Sequence, residues 1–165
     1  MAVTISGDTG ISAVQAGAVE SGDLPAGSVI QVKHVLSRNS VNTTASSPVG
    51  IGLSVSITPR NSDSTFILFC KVQAEHEVEA SGYGLIWFRD GSEVRTPNAY
   101  YEVFNGNLLN QDGERTAAHF QYLDSPSTTS TITYEVKVEV YNGNLMRFND
   151  NGDFESNLTV MEIAG

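Results

Sequence analysis

The chain has 165 residues and a formal charge of −10, from 19 acidic against 9 basic side chains. That length suits one domain around one core. Scattered Lys and Arg make no basic face to displace counterions from phosphate, which excludes DNA and RNA as partners, and an acidic surface gains nothing at an anionic membrane.

Hydrophobic residues make up 40% and charged residues 17%, with Ser, Thr, Val, Asn and Gly prominent, a balance that favours strands and turns over helices. Residues 1–27 are rich in Gly, Ala, Ser and Val, and no Phe, Tyr or Trp precedes Phe66. Such a segment cannot build a core. A disordered tail and a short helix around Ala13 to Val19 are two readings of it. The reading adopted is an extended arm docked on a neighbouring subunit, with Val3, Ile5, Ile11, Val14 and Val19 as its anchors. MAVTISGDTGIS has neither the basic nor the apolar region of a signal peptide, so none is expected. No apolar run approaches the ~18 residues of a spanning helix.

From Ser28 onward the text reads as strands. VIQVKHVL is the first. GLSVSITP places Leu53, Val55 and Ile57 on one face and Ser54 and Ser56 on the other, the period of a half-buried strand that Pro59 ends. TFILFCKVQA is apolar on both faces in its first half, which predicts a central strand covered on two sides. YGLIWFRDGSEV carries the hairpin signal Asp90-Gly91. AYYEVF precedes a second turn signal, Asn105-Gly106. TAAHFQYLD sets Ala118, Phe120 and Tyr122 on one face. Asp124 to Thr131 form a polar loop with Pro126. Then Ile132, Tyr134, Val136, Val138 and Val140 point inward, and Thr133, Glu135, Lys137 and Glu139 point out. Asn142-Gly143 turns the chain into LMRF, and NLTVMEI closes the domain. Eight or nine strands with regular turn signals predict an all-β fold: an antiparallel β-sandwich, jelly-roll-like, over residues 28–165, with residues 1–27 as its arm.

Little in the chain speaks of chemistry. Cys70 is the sole cysteine and lies in the apolar run FILFCKV, the setting of a buried small hydrophobe. His34, His76 and His119 show no metal-ligand spacing. Glu75, Glu77 and Glu79 share a strand face, where like charges repel, so the cluster faces water or a cation such as calcium. Asp150-Asn151-Gly152-Asp153 offers oxygen donors for calcium, but position 12 of an EF-hand loop would be Met161, so an ordinary tight turn is the simpler reading. GxSxG, GxGxxG and GxxxxGK[ST] are absent. No enzyme activity, cofactor or metal is expected. Trp87 alternates with Leu85 and belongs in the core. Tyr100 and Tyr101 are adjacent, so one of them must face away from the core. With Phe104 they mark an oligomer interface or an outer, ligand-binding surface.

Six stretches carry a resemblance when taken in order: Gly27 to Val32 (GSVIQV), Gly52 to Pro59 (GLSVSITP), Phe66 to Phe69 (FILF), Arg89 to Gly91 (RDG), Tyr122 to Val136 (YLDSPSTTSTITYEV) and Met161 to Ala164 (MEIA). The set resembles small β-sandwich virion proteins of tailed bacteriophages, the tail-fibre ends and head or tail appendages of marine and cyanobacterial phages. Residues 75–84 and 95–115 depart from that pattern. The resemblance implies a homotrimer around a threefold axis, no enzyme activity and no catalytic residue. It implies a protein made in the host cytoplasm and carried on the virion. The expected function is structural: a trimeric capsid decoration protein, or a small head or tail appendage, bound to capsid or tail components through its arm. The competing expectation is a tail-fibre receptor module in which residues 75–84 and 95–115 read host surface glycans.

Overall fold

A strand that alternates apolar and polar side chains buries one face only, so it needs a second sheet to cover that face. A computed structural model describes how the chain meets that need over residues 23–76, 82–95, 115–141, 143–150 and 154–165. These residues form ten strands: β1 (Val29–Ser37), β2 (Val41–Thr43), β3 (Val49–Ile57), β4 (Thr65–His76), β5 (Gly82–Arg89), β6 (Ser92–Arg95), β7 (Arg115–Asp124), β8 (Ile132–Tyr141), β9 (Met146–Phe148) and β10 (Ser156–Ile163).

Apart from the short β2 and β9, the strands pair as layers of one long antiparallel hairpin. β5 and β6 form its tip. Behind them β4 pairs with β7, β3 with β8, and β1 with β10. Rolling this hairpin up sends alternate layers to opposite sheets, β1-β10-β4-β7 in one and β3-β8-β5-β6 in the other. That is jelly-roll order. The chain is therefore an antiparallel β-sandwich, as its alternation predicts. β9 pairs with the last residues of β4 and β2 pairs with β9, which lengthens the first sheet to six strands. Local patterning missed β2, whose three residues are too few to show a period. AYYEVF and Asn105-Gly106 lie outside the described residues, as do residues 1–22 of the arm.

The inner rows match the pattern. Ile132, Tyr134, Val136, Val138 and Val140 of β8 are buried, as are Leu53, Val55 and Ile57 of β3. Trp87 stacks on Tyr122 across the sandwich at 5.8 Å between ring centroids, so it is a core residue. Cys70 is buried too, and burial pushes its thiol far above the ordinary range, which leaves it inert. The β5–β6 turn has Asp90 and Gly91 at φ of 51° and 77°, the left-handed pair that a two-residue hairpin requires. One expectation fails. β4 is central in its sheet, but its outer face is only partly covered among the described residues: Phe69 remains 41% exposed there.

Polar residues stitch the layers. Asp124, at the end of β7, accepts hydrogen bonds from Arg89 of β5 at 2.6 Å and from the Tyr134 hydroxyl of β8 at 2.7 Å, which ties one sheet to the other. Glu162 of β10 is fully buried and accepts from the Arg60 amide and the Ser64 hydroxyl, each at 2.7 Å, which fixes the turn after β3. Asn149, buried in the left-handed region at φ 55°, donates to the Asn39 carbonyl and accepts from the Ser156 amide. It joins the exit of β9 to the start of β10 and the end of β1. Gly52, at φ 81°, forms an irregularity in β3. A Cβ there would sit 2.6 Å from the Ser37 hydroxyl, so no other residue fits without displacement.

Two buried tyrosines separate the value of a made hydrogen bond from the cost of an unmade one. The Tyr134 hydroxyl donates to Asp124, whereas the Tyr83 hydroxyl is buried with no partner and its ring packs edge-on against Phe148. Tyr134→Phe is expected to cost about 1.5–2 kcal/mol in urea unfolding, while Tyr83→Phe should leave stability unchanged or raise it by up to about 1 kcal/mol. Equal losses in the two variants would refute this contrast.

Candidate functional site

The outer face of the six-stranded sheet is where side chains exceed the needs of the core. Strand register builds it row by row. Val32, Met161, Ile67 and Leu123 lie side by side across β1, β10, β4 and β7. The next outer row is His34, Thr159, Phe69 and Gln121, and the one beyond is Leu36, Asn157, Lys71 and His119. The first row is apolar throughout, and Leu123 at 63% and Val32 at 50% exposure are open to solvent. Leu36 and Phe69 add to it from the rows beside it. A shallow groove lined by Ile67, Phe69, His119, Gln121 and Leu123 runs between β4 and β7.

The opposite outer face is more polar on β3 and β8, although β5 adds Phe88 and the buried Ile86 beside Glu135 and Lys137. On β3 and β8 it presents Ser54 and Ser56 beside Thr133, Glu135, Lys137 and Glu139. The Ser56 and Thr133 hydroxyls bond at 2.8 Å, and Lys137 lies over the Phe88 ring. Charge is thus segregated. The first sheet's outer strand positions carry Lys71, Arg115 and Arg147 with Glu75 as their one carboxylate among the described residues. The second sheet's outer positions carry Glu93, Glu135 and Glu139 against Lys137.

At its far end the apolar face is closed by an ion-pair clasp. Glu75 of β4 sits between Arg115 of β7, at 2.7 Å, and Arg147 of β9, at 3.1 Å. Arg115 also stacks on the Phe154 ring, 4.5 Å from its centroid. The Arg115 hydrogen bond holds the Glu75 carboxyl below its ordinary range against the opposing effect of burial, and Arg147 adds to it. The hollow among Gln73, Arg115, Asn149, Asp150 and Phe154 has room for about one water molecule. The clasp is therefore a tie between three strands and not a ligand pocket.

The arm anchors Val3, Ile5, Ile11, Val14 and Val19 lie outside the described residues, as do Tyr100, Tyr101 and Phe104. Glu77, Glu79 and Asp153 lie outside them too, so neither proposed calcium cluster is described in full. Glu75 does meet cations, and they are guanidinium groups. Its expected partners in water or calcium are replaced by Arg115 and Arg147. Asp150 accepts from the Ser40 hydroxyl at 3.4 Å. Among the described residues no three His, Cys, Asp or Glu side chains converge as a metal would require. His34 bonds Thr159 at 2.9 Å, and His119 lines the groove. Local patterning missed the apolar outer rows as a surface, although FILF carried the signal in having no polar face.

No protein-family profile matches the chain, and no curated protein matches it. Among solved structures, the chain is similar to a mutant VP2 protein of infectious bursal disease virus in derived T=1 particles, with 14% identity over 81% of this chain and 36% of that one, at a TM-score of 0.45. A chain of the infectious bursal disease virus particle gives 11% identity over 82% of this chain and 36% of that one, at 0.47. Latent PorU from Porphyromonas gingivalis gives 9% over 85% of this chain and 14% of that one, at 0.35. The chain thus spans little more than a third of the viral chains it matches.

The Glu75 clasp makes a pH-dependent prediction. A carboxyl whose folded pKa is depressed adds stability above its unfolded value of about 4.3, and that stability is lost as pH falls through the folded pKa. Glu75→Gln should cost about 1–2 kcal/mol at pH 7, less than a fully buried pair would because Arg115 is 44% exposed. Urea unfolding should show the difference between variant and parent shrinking steadily below about pH 4. A difference that stays constant down to pH 2.5 would count against the clasp.

Proposed function

We propose that the chain is a structural protein of a tailed-bacteriophage virion. In this reading it is a homotrimeric capsid decoration protein, or a small head or tail appendage, held to the particle by residues 1–27. One observation carries the proposal: the outer face of the first sheet holds an apolar row, Val32 to Leu123, that the core does not use. The inner rows already fill the space between the sheets, yet Val32, Leu36, Phe69 and Leu123 stand exposed on the outside of the first sheet. A solitary domain gains nothing from an exposed apolar row on its outer face, whereas a subunit in a repeated assembly buries it against its neighbours. The Ser, Thr and carboxylate positions of β3 and β8 suit a side nearer solvent, where like charge keeps crowded copies from collapsing on one another.

Two further considerations support the reading. The ordered stretches from GSVIQV to MEIA resemble the phage virion sandwiches. Jelly rolls also recur in viral capsid domains, although they recur in lectin domains too, so this is fold-level analogy and weighs less than the exposed face. The mechanism is binding alone. Apolar area removed from water contributes about 25 cal/mol per Å², and repetition over many subunits multiplies a modest contact into a stable coat.

Sedimentation of the purified chain should give about three times 17.7 kDa. A stable single copy at high concentration would overturn the trimer. Deleting residues 1–24 should leave a folded trimer that no longer decorates particles. Normal occupancy by the truncated protein would remove the arm from the mechanism.

A further inference from the structure

We propose that the apolar outer face of the six-stranded sheet is the receptor for residues 1–22 of a neighbouring copy. The inference rests on the reading of that segment as an attachment arm and assigns its landing surface to a neighbouring copy, so that arm-to-copy contacts add to occupancy on the particle while the trimer itself holds without them.

Chemical complementarity is the first support. Residues 1–22 carry Asp8 and Glu20 and no Lys or Arg, and Val3, Ile5, Ile11, Val14 and Val19 are spaced among small and polar residues. The face offers the matching character: an apolar row through Val32, Ile67 and Leu123, with Lys71 and His119 two rows away. Its one carboxylate among the described strand positions, Glu75, is already engaged by Arg115 and Arg147. In a chain of net charge −10, a face without uncommitted acid is the favourable landing place for an acidic apolar segment.

Reach is the second support. The 22 residues before Asp23 span up to ~70 Å when extended, while four strands at ~4.8 Å spacing are under ~20 Å wide. The segment can therefore cross a gap between subunits and still cover the whole face. Its point of departure fits as well. The Gly27 amide bonds the Ala164 carbonyl at 2.8 Å, and the Ala164 amide bonds the Ser28 carbonyl at 2.8 Å. The arm thus leaves from a fixed corner at the start of β1 and the end of β10, beside Val29 and Ile163, on the margin of the same face.

The test places the photo-crosslinking residue p-benzoylphenylalanine at Leu123 in the full-length chain. Leu123 is exposed, so folding should be retained, and circular dichroism checks that. After irradiation, a covalent dimer whose cross-linked peptides join position 123 to residues 1–22 is the expected result. The same probe at Ser54, on the other outer face, should give no such product. Lys71→Glu, which opposes the acidic arm, should lower the yield about threefold. Cross-links from position 123 to the strands of a second copy would overturn the inference in favour of face-to-face packing. Cross-linked product of single-chain mass would overturn it in favour of an arm folded onto its own body. Absence of cross-linking would overturn it outright. Sedimentation of the same preparation separates the two levels: a trimer without the arm cross-link sinks this inference alone, whereas a monomer sinks the oligomeric reading as well.

Discussion

The fold depends on one constraint: alternate side chains of β4 and β8 must be dried at once, against each other. Phe66, Leu68, Cys70, Val72 and Ala74 come from one sheet, and Ile132, Tyr134, Val136, Val138 and Val140 from the other. Neither row has any other way to leave water. Because strand side chains repeat every two residues, a slip of one position on either strand would send the whole row outside. The register is thus enforced by the core, and the polar stitches decorate a pairing already chosen. Asp124 meets Arg89 and Tyr134 only because that register brings their strands to the same end of the sandwich.

How much of this could be read from the chain depended on how local each signal was. β8 was legible because its alternation is strict over ten residues. The β5–β6 hairpin was legible because Asp90-Gly91 has few other uses between two strands. Phe69 was misplaced because an apolar side chain looks the same in sequence whether its own chain covers it or leaves it in water. Glu75 was misread for a different reason. Its visible neighbours are acids, but its partners lie 40 and 72 residues away. Glu162 and Asn149 gave no local sign of burial at all. Their surroundings exist only once loops from distant strands have closed over them.

Segregation of character between the two outer faces follows from the same period of two. Each strand has a single set of positions left after the core is filled, so one sheet's outer surface is written independently of the other's. Here the outer positions of β3 and β8 are mostly Ser, Thr and charged groups, with Ile86, Phe88 and Tyr141 as apolar exceptions on that face, whereas the six-stranded sheet holds one wholly apolar row beside rows that mix polar, aromatic and cationic groups. The result is a slab whose six-stranded face is the drier side of the two. The clasp of Glu75 with its two arginines sits at the border of the drier side and satisfies its charges internally, so it does not advertise a pole for small ions.

The corner where Gly27 and Ala164 share hydrogen bonds has an engineering consequence. The beginning of β1 and the end of β10 emerge together, so a short peptide could join them and the chain could be reopened elsewhere. The tip of the rolled hairpin, at Asp90-Gly91, sits on a different layer from that corner. A permuted molecule opened at the tip, with residues 1–26 left out, would keep every layer of the roll and carry its new ends at the far layer. Cargo grafted there would be displayed without crowding whatever the drier side holds.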